Sequence, residues 1–153
     1  MAKEQGKSGS RQVRDVMTSD PECVNQGADL KEVARIMKER DTGVVPVVDA
    51  GNKIIGLITD RDIVVRGLAE GKDLADCRVD ELMTKQIRSV KEDTPIDDVL
   101  TLMQSAEIRR VPVVNGQNEL IGIVSLGDIA VSTDKDGKVG KAIEDISEAP
   151  PNN

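Results

Sequence analysis

The chain repeats itself, and this duplication limits what it can fold into more than any other feature. Val13-Arg14-Asp15-Val16-Met17-Thr18 returns 66 positions on (13 to 79) as Val79-Asp80-Glu81-Leu82-Met83-Thr84. In the same register Val45-Pro46-Val47-Val48 returns as Val111-Pro112-Val113-Val114, and Gly56-Leu57-Ile58-Thr59 as Gly122-Ile123-Val124-Ser125. Asp62-Ile63 returns as Asp128-Ile129, and no gap is needed from Val13/Val79 to Ile63/Ile129. One supersecondary unit is therefore built twice.

Each copy reads the same way. Leu30, Val33, Ala34 and Met37 recur at i, i+3, i+4 and i+7, as do Ile96, Val99, Leu100 and Met103, so each set predicts one face of a helix. Thr94-Pro95-Ile96-Asp97 predicts a sharp helix start with Thr94 as N-cap, whereas Ala28 at the matching place predicts a weaker one. An apolar β-rich run, Val44 to Val48, is followed by Ala50-Gly51-Asn52 and a second run, Lys53 to Thr59, which predicts a hairpin. Pro46 and Pro112 argue for an edge position or strand start. A second helix is expected after Thr59, with Ile63, Val64 and Leu68 apolar and Gly71 beyond its end. The order is β-α-β-β-α, twice: an α/β chain of α+β type.

A unit of roughly 50–60 residues buries little surface alone. Two are therefore expected to pack about a pseudo-two-fold axis, with a cleft between them. The expected division is a flexible tail at 1–11, a first repeat at 12–70, a connector at 71–78, a second repeat at 79–133 and a polar tail at 134–153. The segment to Ile146 is a candidate short helix.

Composition removes whole classes of function. The 153 residues include no Phe, Trp, Tyr or His. Nucleophile pairs that need imidazole and His-ligated metal sites are excluded, as are aromatic platforms for single-stranded nucleic acid. With 21 basic and 28 acidic residues the net charge is −7, so nucleic acid and anionic membranes are poor partners. No run approaches the ~18 apolar residues of a membrane span, and the N-terminal residues lack the apolar stretch of a secretory signal. Cys23 and Cys77 form no CxxC pair; they read as free thiols in a reducing cytoplasm, with a disulfide between them as the alternative.

The Val-Pro-Val-Val and Gly-h-h-Thr/Ser-x-x-Asp blocks (h apolar), each present twice on this framework, resemble a tandem pair of CBS domains, also called a Bateman module. The resemblance runs from about Val13 to Thr133, and the chain also looks like the stand-alone prokaryotic CBS-pair proteins. It implies a regulatory module that binds adenosine-containing ligands (AMP, ADP, ATP, NAD or S-adenosylmethionine) in the cleft between the repeats. It also implies association of two pairs into a disc-like homodimer and, downstream, a protein effector. No cofactor is expected, and Mg²⁺ only through nucleotide phosphates.

The motif has a physical rationale. Gly56 allows a ligand or another backbone to approach the strand closely. Alternation along the strand is expected to put one of Leu57 and Ile58 into the core and the other toward the cleft. Thr59 stands where free backbone N–H groups and the positive helix end favour phosphate. Asp62 can accept both hydroxyls of a ribose. Gly122, Ile123, Val124, Ser125 and Asp128 repeat the set. Adenine, with no ring to stack on, would lie against aliphatic groups and backbone amides. By resemblance the pocket adds Thr18, Pro21 and Val44 from the first repeat and Thr84 and Ile87 from the second. A ligand-free reading competes, because Thr-x-x-Asp is also a capping box worth about 1 kcal/mol.

Arg109 and Arg110 precede the second-repeat strand, where the family often places residues that reach phosphate; Gly43 and Val44 occupy the matching positions. The two sites are therefore expected to be unequal, with Arg61 beside the first. The plainer reading of Arg109 and Arg110 is a solvated pair on a turn. Gly6-Lys7-Ser8 fails as a P-loop, because Met1 stands where the first Gly must be. Asp134-Lys135-Asp136-Gly137 fails as a calcium loop, with Ser132 and Ile143 at the outer ligand positions. Asp60 and Asp62 read as capping and ribose-binding groups, and Met17 and Met83 as packing. Against the nucleotide sensor stands a ligand-independent dimerisation module, using helical positions such as Ile63, Val64 and Ile129. An enzyme is the least supported reading.

Overall fold

A computed structural model of the chain describes residues 11–132. The expected tails lie outside the described residues except for Arg11, as do the candidate helix to Ile146 and both rejected loop motifs apart from Ser132. A 3-10 turn (Val13–Asp15) leads into β1 (Thr18–Ser19), β2 (Val24–Asn25), α1 (Leu30–Arg40), β3 (Val44–Val48) and β4 (Ile54–Thr59). Next come α2 (Asp60–Asp62), a π-helical segment (Ile63–Leu68), a 3-10 turn (Leu74–Asp76) and α3 (Val79–Leu82). The second copy supplies β5 (Val90–Lys91), α4 (Ile96–Ala106), β6 (Arg110–Val114), β7 (Leu120–Ser125) and α5 (Leu126–Ser132). The β-α-β-β-α order is present in both copies.

The strands follow from their side chains. β3 is Val-Val-Pro-Val-Val and is buried at every position, while in β4 Ile54, Gly56 and Ile58 are buried and Ile55 and Leu57 half-buried. Asp49 Oδ1 accepts the N–H groups of Gly51 and Lys53, both at 2.9 Å, and Asn52 takes the left-handed backbone the turn requires (φ 65°). The prolines do not mark edges. β3 is the centre of a sheet ordered β2-β3-β4, and β6 lies between β7 and β5 in a sheet ordered β1-β7-β6-β5. The short parallel neighbours explain this: β2 pairs only with Val47 and Val48, and β5 only with Val113 and Val114. Pro46 and Pro112, which lack an N–H, stand just before that pairing begins.

Two helix expectations change. In α1 the buried face is Leu30, Val33 and Ile36, with Ala34 exposed and Met37 half-buried; α4 buries Ile96, Val99, Leu100 and Met103 as its spacing predicts. The caps are reversed relative to expectation. Asp29 caps α1 by accepting Glu32 N–H at 3.0 Å, whereas α4 starts from Pro95 without a side-chain cap. Thr94 Oγ1 instead accepts Lys91 N–H at 3.1 Å.

The described residues form two compact units, and these do not follow the sequence repeats. One, the first-repeat unit, holds residues 20–88 and 117–120; the other, the second-repeat unit, holds 11–19, 89–116 and 121–132. Each opening segment thus joins the unit of the other repeat. Val13 is fully buried with Val99, Leu100, Met103 and Ile129, while Val79 and Leu82 are fully buried with Val33, Val45 and Ile58. The stretch 71–78, expected to be a connector, contributes buried Cys77 to the core of the first-repeat unit.

Candidate functional site

The exchange of opening segments builds the floor of each motif. In the first-repeat unit Leu57 and Thr84 exchange backbone bonds, N–H to carbonyl, at 3.0 and 2.8 Å. In the second, Thr18 pairs antiparallel with Ile123 and Ser19 with Gly122. The crossing segment needs glycine beneath it. A Cβ on Gly56 would stand 2.6 Å from Met83 Sδ and 2.9 Å from the Thr84 carbonyl; on Gly122 it would stand 2.7 Å from Met17 Sδ and 3.0 Å from the Thr18 carbonyl. These glycines admit another segment of the chain, and the methionines pack on them. Alternation holds in both copies: Ile58 and Val124 are fully buried, Leu57 and Ile123 half-buried.

At the first strand-to-helix junction the capping box is complete. Asp62 N–H donates to Thr59 Oγ1 and Thr59 N–H donates to Asp62 Oδ2, both at 3.0 Å, with both residues buried. Thr84 Oγ1 lies 3.4 Å from each Asp62 oxygen, and Arg66 Nη1 lies 3.7 Å from Oδ1. The same Arg66 nitrogen donates to the carbonyls of Leu82 and Met83 at 3.2 Å. Val44 is buried opposite Thr59 in the strand register. Arg61 is exposed, and its side chain has no partner among the described residues. Pro21 and Ile87 are half-buried in this same unit and make no hydrogen bond to the motif.

The second junction repeats the box but not its surroundings. Asp128 N–H donates to Ser125 Oγ at 3.0 Å and Ser125 N–H to Asp128 Oδ2 at 3.2 Å. Leu126 N–H donates to the Arg109 carbonyl at 2.8 Å, which seats that arginine beside the helix start; Arg110 opens β6 next to it. Neither guanidinium has an ion-pair partner among the described residues. The matching corner of the first copy carries Asp60, whose N–H donates to the Gly43 carbonyl at 3.0 Å and whose Oδ1 accepts Arg61 N–H at 2.8 Å.

The sequence reading missed Arg66, although Asp62 and Arg66 stand at i, i+4, the spacing that brings charges together on a helix. Cys23 and Cys77 are both free thiols. Burial pushes both up from the ordinary thiol range, helped by Glu22 at Cys23 and by Glu81 at Cys77.

The match to a family model decides the kinship: residues 13–68 and 79–138 each match the CBS domain. The chain belongs to the CBS-domain family, as a tandem pair. The pair is 39% identical over 137 residues to the uncharacterized protein YlbB of Bacillus subtilis, covering 89% of this chain and 91% of that protein. Its fold is similar to the crystal structure of Hypoxic Response Protein I with two coordinated zinc ions (TM-score 0.73, 36% identity, 79% of this chain and 98% of that one). The CBS domain pair of protein MJ0100, solved with 5′-methylthioadenosine and S-adenosyl-L-methionine, is equally similar in fold (TM-score 0.73, 30% identity, 83% and 99%). Two matched archaeal proteins named as enzymes, a homoserine O-acetyltransferase and an L-aspartate semialdehyde sulfurtransferase, are covered over only 23% of their length, so the CBS pair is what is shared with them. Among the described residues no three His, Cys, Asp or Glu side chains are grouped to hold a metal, and no helix is long and apolar enough to cross a membrane.

Proposed function

We propose that this CBS pair is a cytoplasmic regulatory module that binds an adenosine-containing nucleotide and passes the binding event to a protein effector by a conformational or assembly change. The observation that carries the reading is the strand-to-helix junction, built twice, with a carboxylate one turn into the helix and a Thr or Ser hydroxyl at its start. A carboxylate so placed accepts the two hydroxyls of a ribose, and half-buried Leu57 and Ile123 offer aliphatic surface to a base. The adenosine ligands of the MJ0100 pair, 30% identical, support the ligand class. A ligand moves such a module only as far as its affinities for the two states differ.

A thermal-shift panel with AMP, ADP, ATP, NAD and S-adenosylmethionine, with and without Mg²⁺, tests the reading. A ligand at a hundredfold its Kd stabilises by about 2.7 kcal/mol, which raises Tm by roughly 2–4 °C per kcal/mol for a chain of this size. No shift with any compound contradicts it.

A second reading, a homodimerisation surface, is favoured by one feature. Val64, Val65 and Leu68 of the π-helical segment are 53%, 41% and 63% exposed, and Val131 of α5 is 86% exposed. Ile129, expected on that surface, is fully buried, and Ile63 is half-buried. The face is thus carried by Val64, Val65 and Leu68.

A further inference from the structure

We propose that the two copies of the motif have different tasks: the Ser125–Asp128 copy takes the nucleotide, and the Thr59–Asp62 copy is an internal clasp closed by Arg66 and Thr84. This rests on the nucleotide reading and names the site that serves it. An ionised carboxylate offers about four lone-pair sites. At Asp62 the Thr59 N–H, the Thr84 hydroxyl and the Arg66 guanidinium already face the two oxygens, at 3.0, 3.4 and 3.7 Å. Too little is left for a diol, which brings two donors. At Asp128 only the Ser125 N–H donates, at 3.2 Å, and no other donor reaches it among the described residues. The matching groups are absent or turned away. Ser132 stands where Arg66 would, its Oγ donating to the Ile129 carbonyl, and Thr18, the counterpart of Thr84, is exposed and makes no bond to Asp128.

Charge at the junction separates the copies in the same sense. The first carries Asp60 beside Gly43, so close that a Cβ on Gly43 would stand 3.1 Å from Asp60 Oδ2; Arg61 balances that charge without exceeding it. The second has Leu126 in place of Asp60 and Arg109 in place of Gly43, followed by Arg110. An anionic phosphate on the same ligand therefore meets two cations without ion-pair partners among the described residues at the second copy, and at the first one such cation, Arg61, next to the carboxylate of Asp60. Arg66, meanwhile, ties the π-helical segment to the carbonyls of Leu82 and Met83, so the first copy's carboxylate holds the exchanged segment in place. Arg66 is a positioning residue.

Isothermal titration calorimetry of the full chain with ATP and with S-adenosylmethionine as probes, paired with melting curves, tests this. The expected result is one molecule bound per chain, a Kd about tenfold or more weaker in Asp128→Asn with Tm little changed, and a Kd within about twofold of wild type in Arg66→Gln with Tm lowered by about 2–4 °C. Two molecules per chain, or affinity lost in Arg66→Gln and kept in Asp128→Asn, overturns the assignment. If neither probe binds wild type, the nucleotide reading fails on its own. The clasp is then judged by melting alone: Arg66→Gln must melt below Asp128→Asn, and equal melting overturns it.

Discussion

Among the described glycines, Gly56 and Gly122 have the closest neighbours to an added Cβ, and the reason is another segment of the chain rather than a backbone angle. Each lies under a Met-Thr step that crosses it; the sulfur is closer than a Cβ allows at both, and so is the carbonyl at Gly56. Gly56→Ala forces the Thr84 backbone to shift and is expected to cost about 1–3 kcal/mol, read as a lower denaturation midpoint at unchanged slope. The free thiols give a second check. Burial raises both, so less thiolate is present at any given pH; native Cys77 should react with iodoacetamide at pH 8 more slowly than free cysteine, and unfolding should remove the difference. At this scale the motif was legible. Thr59, Asp62, Ser125 and Asp128 stand in reciprocal capping pairs at the spacing their sequence gives them. Whether Asp62 remains open to a ligand was not legible, because that depends on Thr84, 22 positions along the chain.

At the level of elements, strand and helix order followed from periodicity, and the departures have local causes. A proline in a central strand is tolerated here because the next strand is two residues long and begins after it. The N-cap of α1 fell to Asp29 because its carboxylate reaches Glu32 N–H, while the Thr94 hydroxyl is already engaged by Lys91 N–H. Asp29→Ala is accordingly expected to destabilise by about 1 kcal/mol, measured by chemical denaturation; no change would mean the cap is idle. After α2 the chain widens into π-helical turns, with Ala69 N–H donating to the Val64 carbonyl at 2.8 Å. The apolar pattern of that stretch predicted a plain helix, since periodicity alone does not separate the two.

The molecule as a whole is divided otherwise than its sequence. Repeats read at 12–70 and 79–133 exchange their opening segments between two compact units, and no feature of either repeat alone says which core its first residues will join. The exposed apolar face on Val64, Val65 and Leu68 belongs to this scale as well. If two copies cover it, sedimentation will give a dimer for wild type and a monomer for Val64→Glu/Leu68→Glu; a wild-type monomer at high concentration would contradict a homodimer. The absence of Trp, Tyr and Phe makes the main claim unusually direct to test, since the protein contributes almost no near-ultraviolet absorbance of its own. In equilibrium dialysis of the purified chain against ATP or S-adenosylmethionine, excess adenine absorbance on the protein side counts bound ligand. Wild type is expected to saturate at one equivalent, and Asp128→Asn to need about tenfold or more ligand for the same excess; no excess for wild type, or an equal excess for both at every sub-saturating concentration, would contradict the assignment of the site.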